Sequence, residues 1–304
     1  MRRRELMLAA LAAAASAWAQ EPEGQSEARA KLQRAVTLAA DDVRAFDKPA
    51  AGFADPDPAL PASQRGQLVE FSYDSTAVHA RRQALVYLPA GYTPERRWPV
   101  LYLLHGIGGN PHEWTGYVRA TAILDRLIAT GRAQPMIVVL PNGRARPDDR
   151  PPPAAETFTT EHIATFARFE ADLLESLIPA IDARYATRAE AGQRAIAGLS
   201  MGGGQALNFG LAHPETFAWV GGFSSAPNTR AARDVLREPQ AAGQRFKLIY
   251  LSCGNRDGLM NISQEMHREL QALGVAHVWH VDEYGHDRDS WAENLYHFAQ
   301  RLFR

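Results

Sequence analysis

AIAGLSMGGGQAL, residues 195–207, sets an apolar run against a serine with a glycine two positions away on either side, then opens into helical spacing. A strand that hands over to a helix through so tight a turn leaves no room for side chains beside the turning residue. The serine at its apex is forced into a strained backbone and its hydroxyl projects. In that context Gly198-Leu199-Ser200-Met201-Gly202 reads as a nucleophile elbow. The bare pattern arises by chance in about one chain of this length in ten, so its placement between strand and helix carries the weight.

Working outward, short apolar runs alternate with amphipathic ones. Residues 83–89, 99–106, 135–143, 194–200, 217–224, 246–255 and 276–284 read as strands, several too uniformly apolar to have one wet face. Between them, TAILDRLIATG at 121–131, residues 166–185 and residues 202–215 have helical spacing. Phe166, Phe169, Leu173, Leu177 and Ile181 form one stripe of the second. This alternation predicts an α/β fold, a mostly parallel central sheet with helices on both faces, over one domain at 67–304. In such a sheet the chemistry gathers at the carboxyl ends of the strands.

The 304 residues carry a formal net charge of -1 and are 46% hydrophobic, which suits one large core and gives no field for nucleic acid. Cys253 is the one cysteine, so no intrachain disulfide can form. The start, MRRRELMLAALAAAASAWAQ, has a basic segment, a short apolar stretch and Ala17-Trp18-Ala19. It reads as a secretory signal over 1–19, cleaved after Ala19, which makes the mature protein secreted or periplasmic with no membrane anchor. Arg3-Arg4 leaves open which export route is used. Residues 20–66 read as an extension, helical in spacing over 26–47 and then rich in proline and small residues over 48–63.

A serine hydroxyl needs a base to take its proton, and an elbow of this kind expects acid and histidine after it in the chain. His213, His277, His280 and His297 lie in helical or strand patterns, whereas Gly285-His286 follows the last strand on a loop. Ser290-x-x-Glu293 beyond it reads as a capping box opening the last helix at Trp291. For the acid, Asp257 follows the strand at 246–255, on the expected edge, and Asp282 is the second candidate. Asp287 and Asp289 are too near His286 in sequence to reach its Nδ1, and alternate loop positions with no further ligand do not make a metal site. The backbone N–H of Met201 and that of Ile107, in His105-Gly106-Ile107-Gly108-Gly109, are the expected oxyanion donors.

HGIGGNPHEW, PNGRARPDD, RAIAGLSMGGGQALNFGLAHPETFAWVGGFSSAPN, SCGNRDG and GHDRDSW together resemble carbohydrate esterase family 1, which includes bacterial feruloyl esterases that accompany xylanases. The resemblance runs from about Gln67 to the end of the chain. It implies an α/β-hydrolase fold, a triad at Ser200, Asp257 and His286, no cofactor, and hydrolysis of feruloyl esters on sugars or polysaccharide through an acyl-enzyme. Acetyl-sugar esterases, siderophore esterases and acyltransferases share that triad, and a silent carbohydrate-binding protein would lose one of its members. Trp114 and Trp291 are candidates for a slot that takes an aromatic acyl group, and residues 144–158 and 224–234 for the rim above Ser200. The sequence departs from the family's usual histidine motif, with Tyr284 before Gly285 and Arg288 after Asp287.

Overall fold

A computed structural model of the chain describes residues 36–304. The signal at 1–19 and the first part of the expected N-terminal helix lie outside the described residues. The strands are β1 (Gln67–Ser75), β2 (Ala80–Leu88), β3 (Val100–Leu104), β4 (Ile137–Pro141), β5 (Arg194–Leu199), β6 (Trp219–Phe223), β7 (Leu248–Gly254) and β8 (Val278–Asp282). They form one eight-stranded sheet in the order β1-β2-β4-β3-β5-β6-β7-β8. β1 and β2 pair antiparallel, as do β2 and β4, and every other pair is parallel. This is the mostly parallel sheet of an α/β-hydrolase fold.

Strands buried on both faces need apolar residues at every position, and β3 and β4 are buried throughout. Val100, Tyr102 and Leu104 face one half of the core, Leu101 and Leu103 the other. The second half is covered by α1 (Ala120–Ala129) and α6 (Arg288–Ala299). The first is covered by α2 (Thr160–Asp172), α3 (Ile178–Arg184), α4 (Met201–Ala212) and α5 (Met260–Ala272). The stripe from Phe166 to Ile181 is buried as its spacing predicts. A π-helical turn at Leu173–Leu177 joins α2 to α3, just before Pro179, whose missing N–H a regular ladder could not accommodate.

Two expectations need correction. Residues 36–47 are not helical; they run beside β8, where the Val281 N–H donates to Val43 O at 3.0 Å and Trp279 Nε1 to Asp42 Oδ1 at 3.0 Å. Tertiary hydrogen bonds along an open sheet edge outweigh a local helical preference there. The last helix begins at Arg288 rather than Trp291, because Asp287 is its cap and accepts from the Asp289 and Ser290 N–H groups. Ser290 and Glu293 are turned inward and fully buried.

Candidate active site

The elbow between β5 and α4 is built by close approach. A Cβ at Gly198 would stand 2.3 Å from Gly202 O, and one at Gly202 would stand 2.5 Å from Leu104 O, so neither position admits a side chain. Ser200 sits between them at φ 53°, ψ -121°, a conformation an L-residue holds only where its surroundings impose it. They do so through both backbone groups. The Ser200 N–H donates to Phe223 O at 2.9 Å, and Ser200 O accepts from Gly204 and Ala226 at 3.1 Å each. Asn228 Nδ2 adds a bond to Met201 O at 2.9 Å, so part of the expected rim at 224–234 is a brace under the elbow.

Three side chains distant in sequence meet there. His286 Nε2 lies 3.0 Å from Ser200 Oγ, and His286 Nδ1 lies 2.8 Å from Asp257 Oδ2. An ionised carboxylate only accepts, so Nδ1 carries the proton and Nε2 is left to accept the Ser200 hydroxyl proton. Asp257 Oδ1 accepts the Leu259 N–H at 2.8 Å. Burial alone would raise the Asp257 carboxyl, yet the charge of His286, its hydrogen bond and the Leu259 N–H hold it below the ordinary carboxylate value. Burial likewise opposes a charged His286, and Asp257, Glu113 and Asp287 outweigh it, so its basicity is raised. The Trp291 ring packs against the imidazole nearly at right angles, at 5.1 Å between centroids.

Asp282, the second candidate for the acid, has other partners. Its Oδ2 accepts from Ser290 Oγ at 2.7 Å and Asn294 Nδ2 at 2.8 Å, and its Oδ1 from the Tyr284 N–H at 2.9 Å, which ties the end of β8 to α6. The Trp114 and Trp291 expectation fails on burial. Trp114 has no exposed surface and its Nε1 donates to Leu104 O at 2.9 Å, while Trp291 is 2% exposed and lies behind His286. The apolar surface beside the elbow comes from elsewhere. Met201, Leu259, Ile262 and Phe166 form a small cluster, with Ile107 and Ile163 partly exposed on it. Arg144, expected on a rim, is wholly buried.

Of the expected oxyanion donors, neither the Ile107 nor the Met201 N–H has an acceptor among the described residues. Sequence reasoning missed Glu113, whose Oε2 accepts the Gly106 N–H at 2.7 Å. A carboxylate seven residues after a strand-ending glycine in a glycine-rich loop was the available signal.

His280, Glu293 and His297 cluster with the donor types of a metal site. The Ala45 N–H donates to His280 Nδ1 at 3.0 Å, so the His280 proton is on Nε2 and aims at Glu293 Oε1, 3.1 Å away. Arg44 already sets a guanidinium on the same carboxylate. The His280 hydrogen bond and the Arg44 charge, with His297 Nε2 3.7 Å from the same carboxylate oxygen, hold Glu293 down to about 2 against the upward push of burial, as an ion-pair anchor for the N-terminal segment requires.

Residues 75–302 match a family described as putative esterase. The chain belongs to that family. An endo-1,4-beta-xylanase/feruloyl esterase of Xylanibacter ruminicola is 33% identical over 245 residues, 79% of this chain and 32% of its own length. Endo-1,4-beta-xylanase Y of Acetivibrio thermocellus is 31% identical over 47% of this chain and 13% of its own. The chain thus spans about a third or less of the length of these curated relatives. Among solved structures, a CE1 ferulic acid esterase of Anaeromyces mucronatus in complex with ferulic acid superposes with a TM-score of 0.73 at 22% identity, covering 88% of this chain and 98% of that one. Another ferulic acid esterase gives 0.63 at 26% identity, over 78% and 97%. These matches agree with the motif resemblance at the level of the putative-esterase family and of the fold. No helix among the described residues is long and apolar enough to cross a membrane.

Proposed function

We propose that this protein is a serine carboxylic-ester hydrolase acting on feruloyl or related hydroxycinnamoyl esters of plant cell-wall polysaccharide, with Ser200 as nucleophile. The observation that carries the reading is the continuous proton path from Ser200 Oγ through His286 to Asp257, at 3.0 and 2.8 Å. His286 Nε2 takes the hydroxyl proton as Oγ attacks the ester carbonyl, and Asp257 holds the imidazole in the productive tautomer and stabilises the imidazolium. The Met201 and Ile107 N–H groups receive the developing oxyanion, helped by the amino terminus of α4. His286 then protonates the departing sugar oxygen, and water, activated by the same base, releases the acid from the acyl-enzyme. The residues need no cofactor for these steps.

The feruloyl preference is supported by the xylanase/feruloyl esterase relative and by the partly exposed Ile107 and Ile163 on the apolar cluster at the elbow. An aromatic acyl group would lie on such a surface. A polysaccharide substrate fits a secreted or periplasmic protein carrying a cleaved signal at 1–19. The test is relative turnover of methyl ferulate, acetylated xylan and a short-chain nitrophenyl ester. Preference for methyl ferulate is expected; a preference for acetylated xylan would overturn the acyl assignment, and no turnover of any ester would overturn the hydrolase reading.

A further inference from the structure

We propose that Glu113 is a positioning residue for the oxyanion loop: its carboxylate holds the Gly106 N–H and so fixes the following peptide with the Ile107 N–H free for the ester oxygen. This rests on the ester-hydrolase reading above. Gly106 adjoins the nucleophile, since a Cβ there would lie 3.4 Å from Ser200 Cβ and 3.5 Å from Glu113 Oε2. Its two backbone groups are both taken. The N–H goes to Glu113 at 2.7 Å, and the carbonyl oxygen accepts from the Gly109 N–H at 3.1 Å and from His105 Nδ1 at 2.7 Å. His105 donates from Nδ1 because its Nε2 accepts the Gly143 N–H at 3.0 Å, and burial and the Arg144 charge, which push its basicity down to about 3, keep the ring neutral. In a planar trans peptide the Ile107 N–H then points opposite the pinned Gly106 carbonyl.

The loop is wrapped tightly around the same carboxylate. A Cβ at Gly109 would fall 2.2 Å from Glu113 Oε2, and Arg144, buried behind the loop, donates from Nη1 to Gly109 O. The Glu113 backbone N–H closes the turn on Asn110 O at 2.9 Å. Of the loop amides, Glu113 takes that of Gly106, which adjoins the nucleophile, out of the choice. Glu113 also acts on the base through its charge. His286 is faced by Asp257 from the loop after β7, by Glu113 from the turn after the oxyanion loop, and by Asp287 from the cap of α6, and each favours its protonated form.

The experiment compares the wild type with Glu113→Ala and Glu113→Gln in kcat, KM and the pH profile of kcat/KM on a nitrophenyl ester, with thermal melts of each. Glu113→Ala should lower kcat by about 10- to 100-fold, less than outright loss of an oxyanion donor, with KM changed by less than about threefold. Glu113→Gln, whose amide oxygen can still accept from Gly106, should recover kcat to within about threefold. Both should shift the acid limb to lower pH, because the charge that favours the imidazolium is gone. An active wild type with wild-type kcat in folded Glu113→Ala, or with equal losses in both folded variants, overturns this inference alone. If Glu113→Ala does not fold, Glu113→Gln decides, and an unmoved acid limb overturns it. A wild type inert toward every ester overturns the hydrolase reading and this inference together.

Discussion

Asp257 Oδ2 and His286 Nδ1 stand 2.8 Å apart although they follow different strands, β7 and β8, and among the described residues the imidazole is the buried carboxylate's ion-pair partner. Sequence ranks this acid ahead of Asp282, and the hydrogen bonds favour the same order, since Asp282 is taken up by Ser290 and Asn294. Asp257→Asn should therefore lower kcat by about ten-thousandfold with the fold retained, because an amide in place of the carboxylate favours the wrong tautomer. Asp282→Asn should act on stability, by loosening Ser290 and Asn294, and leave the pH profile of turnover in place. Steady-state rates and melts on both variants check this, and the reverse pattern would exchange the two roles.

Ser200→Ala removes the hydroxyl from an elbow whose shape is set by Gly198, Gly202 and the bonds to Phe223, Gly204 and Ala226. The expected loss is about a millionfold in kcat with no loss of secondary structure. Hydrolysis by the variant at even a hundredth of the wild-type rate, with contaminating esterase excluded, would displace Ser200 as the nucleophile.

The base works unprotonated, so kcat/KM should climb with pH through the basicity of His286. That basicity is raised above the ordinary 6.5, which puts the midpoint on the alkaline side of that value. The linked stability has the opposite direction: the raised His286 contributes fully below 6.5, and its contribution is lost as pH rises through the folded value. Asp257, lowered from 3.8, contributes above that value, and its share is lost as pH falls through the folded one. A pH-rate series shows whether the limb lies above 6.5, and Asp257→Asn should draw it down.

Much of this was legible because the signals are local. The fully buried β3, β4 and β5 are short apolar runs bounded by turns, and Gly198 and Gly202 announce a close crossing that the backbone contacts bear out. β1 lacks the uniformly apolar run of the buried strands: Val69-Glu70-Phe71-Ser72-Tyr73-Asp74 alternates apolar and polar residues, the pattern of an edge strand wet along much of its length. The helical spacing at 26–47 misled where residues 36–47 lie, because Asp42, Arg44 and Ala45 have hydrogen-bond partners on Trp279, Glu283, Glu293 and His280, all over 200 residues away. Trp114 and Trp291 were ambiguous for a similar reason: large aromatics serve core and pocket alike, and only burial separates the two.

Arg82 shows how a residue far from the triad reaches the oxyanion loop. It is wholly buried, ion-paired with the equally buried Asp172 and, at 2.9 Å, with Asp149, and its Nη2 donates to the carbonyls of Asn142 and Arg144. It thus joins β2 and α2 to the loop that carries Arg144 behind Gly109. Arg82→Ala should cost about 3–5 kcal/mol, because the Asp172 charge stays buried with, among the described residues, the Tyr73 hydroxyl at 2.7 Å as its remaining hydrogen-bond donor. The double variant Arg82→Leu with Asp172→Leu should recover most of that stability, since an apolar pair of adequate volume removes the buried charge. It should not recover turnover, because neither leucine can hold the Asn142 and Arg144 carbonyls. Urea denaturation and ester kinetics on the three proteins separate the effects. Recovery of both properties in the double variant would show that the guanidinium acts on stability alone.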